Sequence, residues 1–287
     1  MRQAIFDMLF NRMARDETVS LVISDMGLGL IERFQEAYPD RFINVGIAEH
    51  SMIGVAAGLC NVGYRVVTYT LSQFYLRAFE AVRNEVGLNG APIVMLGSST
   101  GYENGPLGGT HTPLDDWGAL KAIPGIDIYC PSSVAYAETL IDKVLDTNRP
   151  AYIRIPKGGF HHPATKRDMA LYVGIARNVL LVSYGSTVQA CLEAQERDPR
   201  LSVLVVNKLS PIDMDAAWEA LRGFKHAFVV EDHFGNTGLY GSICGLAGAC
   251  PNVISLAPSS YDLKIGSQAY MNAMAGIDVE GILRAVV

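Results

Sequence analysis

Asn44-Val45-Gly46-Ile47-Ala48-Glu49-His50, followed by Ser51-Met52-Ile53-Gly54-Val55-Ala56-Ala57-Gly58-Leu59, is the stretch around which this chain is organised. A glycine-containing turn delivers one carboxylate, Glu49, to the start of a helix too apolar to lie exposed. Acids near a helix N-terminus are favoured by the macrodipole and by capping, so a structural role for Glu49 stands beside a chemical one. The flanks decide the fold. Upstream, 19–24 reads as a short buried strand ending at Asp25, and 42–45 as a second strand. Downstream come a strand at 65–70, a helix at 73–89 and a buried strand at 92–97. The alternation continues with helix 113–122, strand 126–130, helix 133–146 and strand 151–155. Strands alternating with helices imply an α/β fold whose parallel sheet is covered on both faces.

At 157–177 the periodicity lapses, and it resumes with strands at 178–183, 201–206, 227–231 and 253–256 among helices. The expected organisation is therefore a first parallel-sheet domain over 1–158, a linker over 159–176 and a smaller α/β domain over 177–287. The 287 residues, 49% of them hydrophobic and 18% charged, are enough for two cores. A net charge of −6 argues against nucleic acid as a partner. No apolar run reaches the roughly 18 residues of a membrane span, and the N-terminus lacks a signal-peptide layout, so a cytoplasmic protein without a membrane partner is expected. The five cysteines form no CxxC pair and read as reduced thiols. His161-His162 have no accompanying ligand motif, so no metal is expected to be held by this chain alone.

Ligands of an open parallel sheet gather beyond the carboxyl ends of its strands. Asp25, Glu49, residues 72–74, the loop 97–112 and Lys157 all follow strands of the first domain and can converge on one edge. The loop carries Gly101, Gly105, Gly108 and Gly109 before Thr110-His111, which permits close backbone approach to a ligand. No GxSxG elbow, Walker A loop or GxGxxG turn is present.

The segment 44–50 with its apolar helix resembles the signature of the pyrimidine-binding domain of transketolases and related thiamine-diphosphate enzymes. Further matches follow in the family's order. Thr70-Leu71-Ser72-Gln73-Phe74 with Arg77-Ala78-Phe79-Glu80 resembles the aromatic pyrimidine-contacting segment. Gly109-Thr110-His111-Thr112-Pro113 with Asp115-Asp116 resembles the Gly-Pro-Thr-His-Gln loop. Ile128–Ser133 and Tyr152–Gly158 resemble later strands of that domain, and Val230-Glu231-Asp232-His233 with Gly238–Ser242 resembles the transketolase C-terminal domain.

The resemblance implies thiamine diphosphate as cofactor and transfer of a two-carbon ketol unit through a cofactor-bound carbanion/enamine. It makes Glu49 the catalytic carboxylate that hydrogen-bonds N1′ of the aminopyrimidine, Phe74 the contact to the pyrimidine face, and Asp25 a position near the cofactor at a dimer interface. It makes His111 a catalytic and substrate-binding residue, and Lys157 a substrate-phosphate contact in place of an arginine. Ser99 and Leu107 fall where sugar-phosphate transketolases place a histidine and an aspartate for donor hydroxyls. The sequence has no Gly-Asp-Gly motif, so the resemblance is to the second subunit of a split transketolase. Mg2+ and the diphosphate would then be held by a separate partner subunit, with a homodimer of this chain inside an α2β2 heterotetramer. A 2-oxoacid dehydrogenase β subunit and a non-catalytic scaffold subunit are the alternative readings.

Overall fold

Val19–Ile23 (β1), Val94–Ser98 (β4) and Ala151–Ile155 (β6) are buried at every residue, as strands covered on both faces must be. In the computed structural model, which describes residues 1–158, 166–246, 248–261 and 264–287, they belong to a seven-stranded sheet. Its other members are Phe42–Asn44 (β2), Arg65–Leu71 (β3), Asp127–Tyr129 (β5) and Lys208–Ser210 (β10), in the order β10-β5-β6-β4-β3-β1-β2. Except for the antiparallel β10–β5 pair, neighbouring strands run parallel. The second sheet has the order β12-β11-β8-β9-β7 and comprises Met169–Tyr172 (β7), Val179–Ser183 (β8), Ser202–Val206 (β9), His226–Val230 (β11) and Asn252–Leu256 (β12). All its pairs are parallel except β7–β9.

The two faces of β1 feed different cores because successive side chains alternate. Val19, Leu21 and Ile23 pack with Ile5, Phe6 and Leu9 of the helix Arg2–Arg15 and with Leu140 and Ile141 of the helix Val134–Thr147. Val22 faces Met52, Ile53 and Ala56 of the helix Glu49–Asn61, in a cluster that continues through Trp117 into Leu180, Val182 and Val229 of the second sheet. The two sheets thus share one apolar core.

Three local expectations change. Within the stretch expected as a linker, 159–165 lies outside the described residues, and Met169–Tyr172 is a strand whose amides find partners on β9. β10 crosses back to edge the first sheet, because Asn207 Oδ1 accepts hydrogen bonds from Ser132 N–H (2.9 Å) and Oγ (2.8 Å), while Leu209 enters the shared core. The expected helix 73–89 is a 3-10 turn, Ser72–Ala78, one α-helical stretch, Phe79–Ala81, and a π-helix, Val82–Leu88.

Candidate active site

In the first sheet the chain leaves β1 for β2 on one side and returns to β3 on the other, so β1 and β3 flank the topological switch point, where a parallel sheet opens a crevice for ligands. The helix Glu49–Asn61 starts there, and Glu49, its first residue, is only 2% exposed. Ser24, just past β1, places Oγ 3.5 Å from Glu49 Oε1 and 2.8 Å from Thr70 Oγ1 on β3. Glu49 Oε2 is buried without a hydrogen-bond partner, with Arg77 Nη1 the nearby cation at 3.7 Å. Buried carboxyl oxygens are ordinarily hydrogen-bonded, so an unpartnered one at this end of the sheet marks a place for a hydrogen-bonding partner.

Phe74 lies on the same 3-10 turn as Arg77, and its ring meets that of His111 edge-on at 5.6 Å between centroids. His111 Nδ1 is 2.9 Å from Thr110 Oγ1. Glu49, Phe74 and His111 are therefore joined through Arg77 into one cluster. Asp25 adopts a left-handed backbone, φ 51°, uncommon for a residue other than glycine. Its N–H donates to Asn44 Oδ1 (3.0 Å), Asn44 Nδ2 donates to its carboxylate (3.1 Å), and Gly46 N–H shares the same Asn44 oxygen (2.9 Å). That side chain is exposed and caps no helix; it ties the turn after β1 to the turn before Glu49.

Lys157 stands apart from this cluster. Its Nζ donates to Asn104 Oδ1 and to Glu103 O (3.4 Å), and it lines a cavity of about 400 Å³ with Glu103, Ser186, Gln189 and Asn272. Burial pushes the Glu103 carboxyl up to about 7, against the pull of two backbone N–H donors, Thr100 and Lys157, each at 2.8 Å. Ser99 is buried with φ 72° and an unpartnered hydroxyl, while Leu107 is exposed.

Sequence reasoning did not find the buried group beneath the loop. Arg154 on β6 is fully buried, with Nε 3.0 Å from Asp116, Nη1 2.6 Å from Asp232 and Nη2 donating to Pro113 O at 2.7 Å. Tyr152 Oη donates to Asp116 at 2.7 Å. Beside them Tyr184 Oη donates to Glu231 Oε2 (3.1 Å), whose carboxylate also accepts from the N–H groups of Leu239 (2.8 Å) and Tyr240 (3.0 Å). The available signal was a lone charge inside the apolar run Tyr152-Ile153-Arg154-Ile155, which requires a buried counter-charge.

The chain is similar to known proteins in sequence and in fold. Residues 1–161 match the family model described as transketolase, pyrimidine binding domain. The chain is 31% identical over 284 residues to an apulose-4-phosphate transketolase subunit of Actinobacillus succinogenes, covering 93% of this chain and 90% of that one. It is 28% identical over 235 residues to the 1-deoxy-D-xylulose-5-phosphate synthase of Rhodopirellula baltica, covering 79% of this chain but 37% of that longer protein. In fold it is similar to a solved structure titled split gene transketolase, inactive beta4 tetramer, with a TM-score of 0.85 at 22% identity over 99% of this chain and 96% of that one. The family model and the apulose-4-phosphate transketolase relative together establish that this chain belongs to the transketolase family.

Proposed function

We propose that this chain is the pyrimidine-binding subunit of a split transketolase, with that domain over 1–158 and a C-terminal domain over 177–287, to whose sheet the strand Met169–Tyr172, within the linker expected over 159–176, adds an edge. The observation that carries the reading is the buried, unpartnered Oε2 of Glu49 at the switch point of the first sheet. It fits an aminopyrimidine, whose ring nitrogen offers the missing hydrogen-bond partner to a carboxyl group. Thiamine diphosphate, when bound, supplies the carbon nucleophile that takes up a two-carbon ketol unit. Glu49 holds the proton shared with ring atom N1′, Phe74 covers the pyrimidine face, and His111, set against Phe74, keeps water from that side and offers a hydrogen bond to the substrate. Asp25 and Asn44 hold the turn from which Glu49 projects. Lys157 serves a substrate phosphate as a point charge.

Among the described residues no group of three or more histidine, cysteine or acidic side chains is placed to hold a metal ion. Mg2+ and the diphosphate are assigned to a separate partner subunit, with two copies of this chain in an α2β2 assembly in the cytoplasm. The relative named as acting on apulose 4-phosphate makes phosphorylated ketoses the first donors to test.

The test is reconstitution with the diphosphate-binding subunit, followed by separate assays of ketol transfer from ketose phosphates and of carbon dioxide release from 2-oxoacids. Ketol transfer is expected; carbon dioxide release without it would replace the reading with a 2-oxoacid dehydrogenase β subunit. Glu49→Gln is expected to slow exchange of the cofactor C2 proton by about 100-fold or more, with circular dichroism unchanged. Full activity in that variant would leave only the scaffold role.

A further inference from the structure

The second sheet also has a switch point. From β8 the chain runs to β9 on one side and later to β11 on the other, so the crevice opens beyond the carboxyl ends of β8 and β11, at Gly185–Thr187 and Glu231–His233. In an open parallel sheet that crevice is where a ligand lies. Here the chain's own loop fills it. Gly101, with φ 46°, sits so close to Asp232 that an added Cβ would stand 2.5 Å from the aspartate Cβ. Ser186 Oγ donates to Asp232 Oδ2 (2.8 Å) and accepts from Thr100 Oγ1 (3.4 Å). Gly105 lies against Gly266 O, where a Cβ would be 2.5 Å away, and Phe234 N–H donates to Leu114 O at 2.7 Å. Arg154 closes the arrangement from below, bonded to Asp232 of the second unit and to the Pro113 carbonyl at the far end of the loop. Both roots of the segment that carries His111 are thus held by the second unit, whereas His111 itself reaches the first sheet's switch point by its edge contact with Phe74.

We infer that Asp232 and Arg154 are positioning residues for His111: the ligand crevice of the second sheet has been converted into the seat of the first sheet's active-site loop. The inference rests on the proposed role of His111, and its test separates the two. A hydrogen beside an aromatic ring has its signal displaced by the ring current, so the imidazole C–H signals of His111, identified by their loss in His111→Asn, report its contact with Phe74. Phe74→Leu defines the position of the signal without the ring.

Two variants disturb the seat from opposite sides. Asp232→Asn weakens the grip, and Gly101→Ala keeps both charges but wedges the loop away from Asp232, its added Cβ standing 2.5 Å from the aspartate Cβ. In each full-length variant the His111 signal is expected to move at least halfway to its Phe74→Leu position. In the reconstituted enzyme kcat is expected to fall by about 100-fold with KM changed by less than about threefold, as for a misplaced catalytic group. A His111 signal that stays at its native position in Gly101→Ala overturns the inference even if Asp232→Asn fails to fold. A signal that moves while kcat is retained upholds the positioning and instead removes His111 from the catalytic reading.

Discussion

His233 shows how a single side chain is committed by its surroundings. Its Nε2 accepts from Gly118 N–H at 3.2 Å, Nδ1 is 3.1 Å from Phe234 O, and the ring packs 5.0 Å from that of Trp117. Those partners suit the neutral tautomer with the proton on Nδ1. Burial, reinforced by the Arg154 charge, lowers its pKa to about 3. An unfolded histidine titrates near 6.5, so between those values the unfolded chain binds a proton that the folded chain refuses. The contribution is favourable above about 6.5 and is lost as pH falls towards about 3, at roughly 1.4 kcal/mol per pH unit. Glu103, whose carboxyl is pushed up to about 7, works in the other direction, its folded form retaining a proton above 4.5 that the unfolded chain gives up. Burial raises the Glu231 carboxyl too, to about 8, so the wild-type profile alone mixes several groups, and the difference between wild type and His233→Gln isolates the histidine. Denaturant titrations from pH 7 to pH 4.5 are expected to show wild type losing stability relative to the variant at each step. A pH-independent difference would mean that His233 is protonated in the fold.

At the scale of an element, the helix Glu49–Asn61 is unusual in what it leaves uncovered. Met52, Ile53 and Ala56 are buried, but Gly54, Val55 and Gly58 face outward beside exposed Ile47 and Val62. A helix this apolar was expected to be covered; in a single chain only one side is. The uncovered side is continuous with the turn that delivers Glu49, and in the proposed assembly it is the face on which a second copy of this chain would pack. A Cβ added at Gly54 or Gly58 meets nothing within 4 Å. In an isolated chain Gly54→Ala/Gly58→Ala would stabilise the helix by about 1–2 kcal/mol in total. With a partner helix packed there, the added methyls hold the chains apart. Sedimentation is expected to show weakened self-association in the double variant. Unchanged association together with a raised melting temperature would place the contact elsewhere.

For the whole molecule, the decisive feature is a buried charge set between two sheets that share one core. Burial alone would raise the Asp232 carboxyl, but Arg154, with hydrogen bonds from neighbouring hydroxyls, brings it below its ordinary value. Such a pair adds little over an apolar contact, yet removing one member strands the other in the interior at a cost of roughly 3–5 kcal/mol. Arg154→Met is expected to lose about that much in urea denaturation, because it leaves Asp116 and Asp232 without their cation. In a Trp218→Phe background, fluorescence from Trp117, at the junction, and circular dichroism from the entire chain are expected to give coincident transitions. Two separated transitions would show that the units unfold independently.

Much of the first sheet was legible because parallel strands buried on both faces are continuous apolar runs, as in β1, β4 and β6, and because a carboxylate at the head of an apolar helix stands out. The segments that failed, β7, β10 and the irregular helix 72–88, are short or carry mixed patterns, and their hydrogen-bond partners lie far away in sequence. Glu49 and the residue types of its site were determined by the sequence itself. Tertiary structure alone decided that Phe74 meets His111, that Arg154 faces Asp116 and Asp232, and that the second sheet's crevice holds the first unit's loop. The reason is physical: side-chain alternation and helix starts are set by neighbours a few residues apart, whereas strand order and the pairing of buried charges are settled only when distant segments pack and each buried polar group must find its partner.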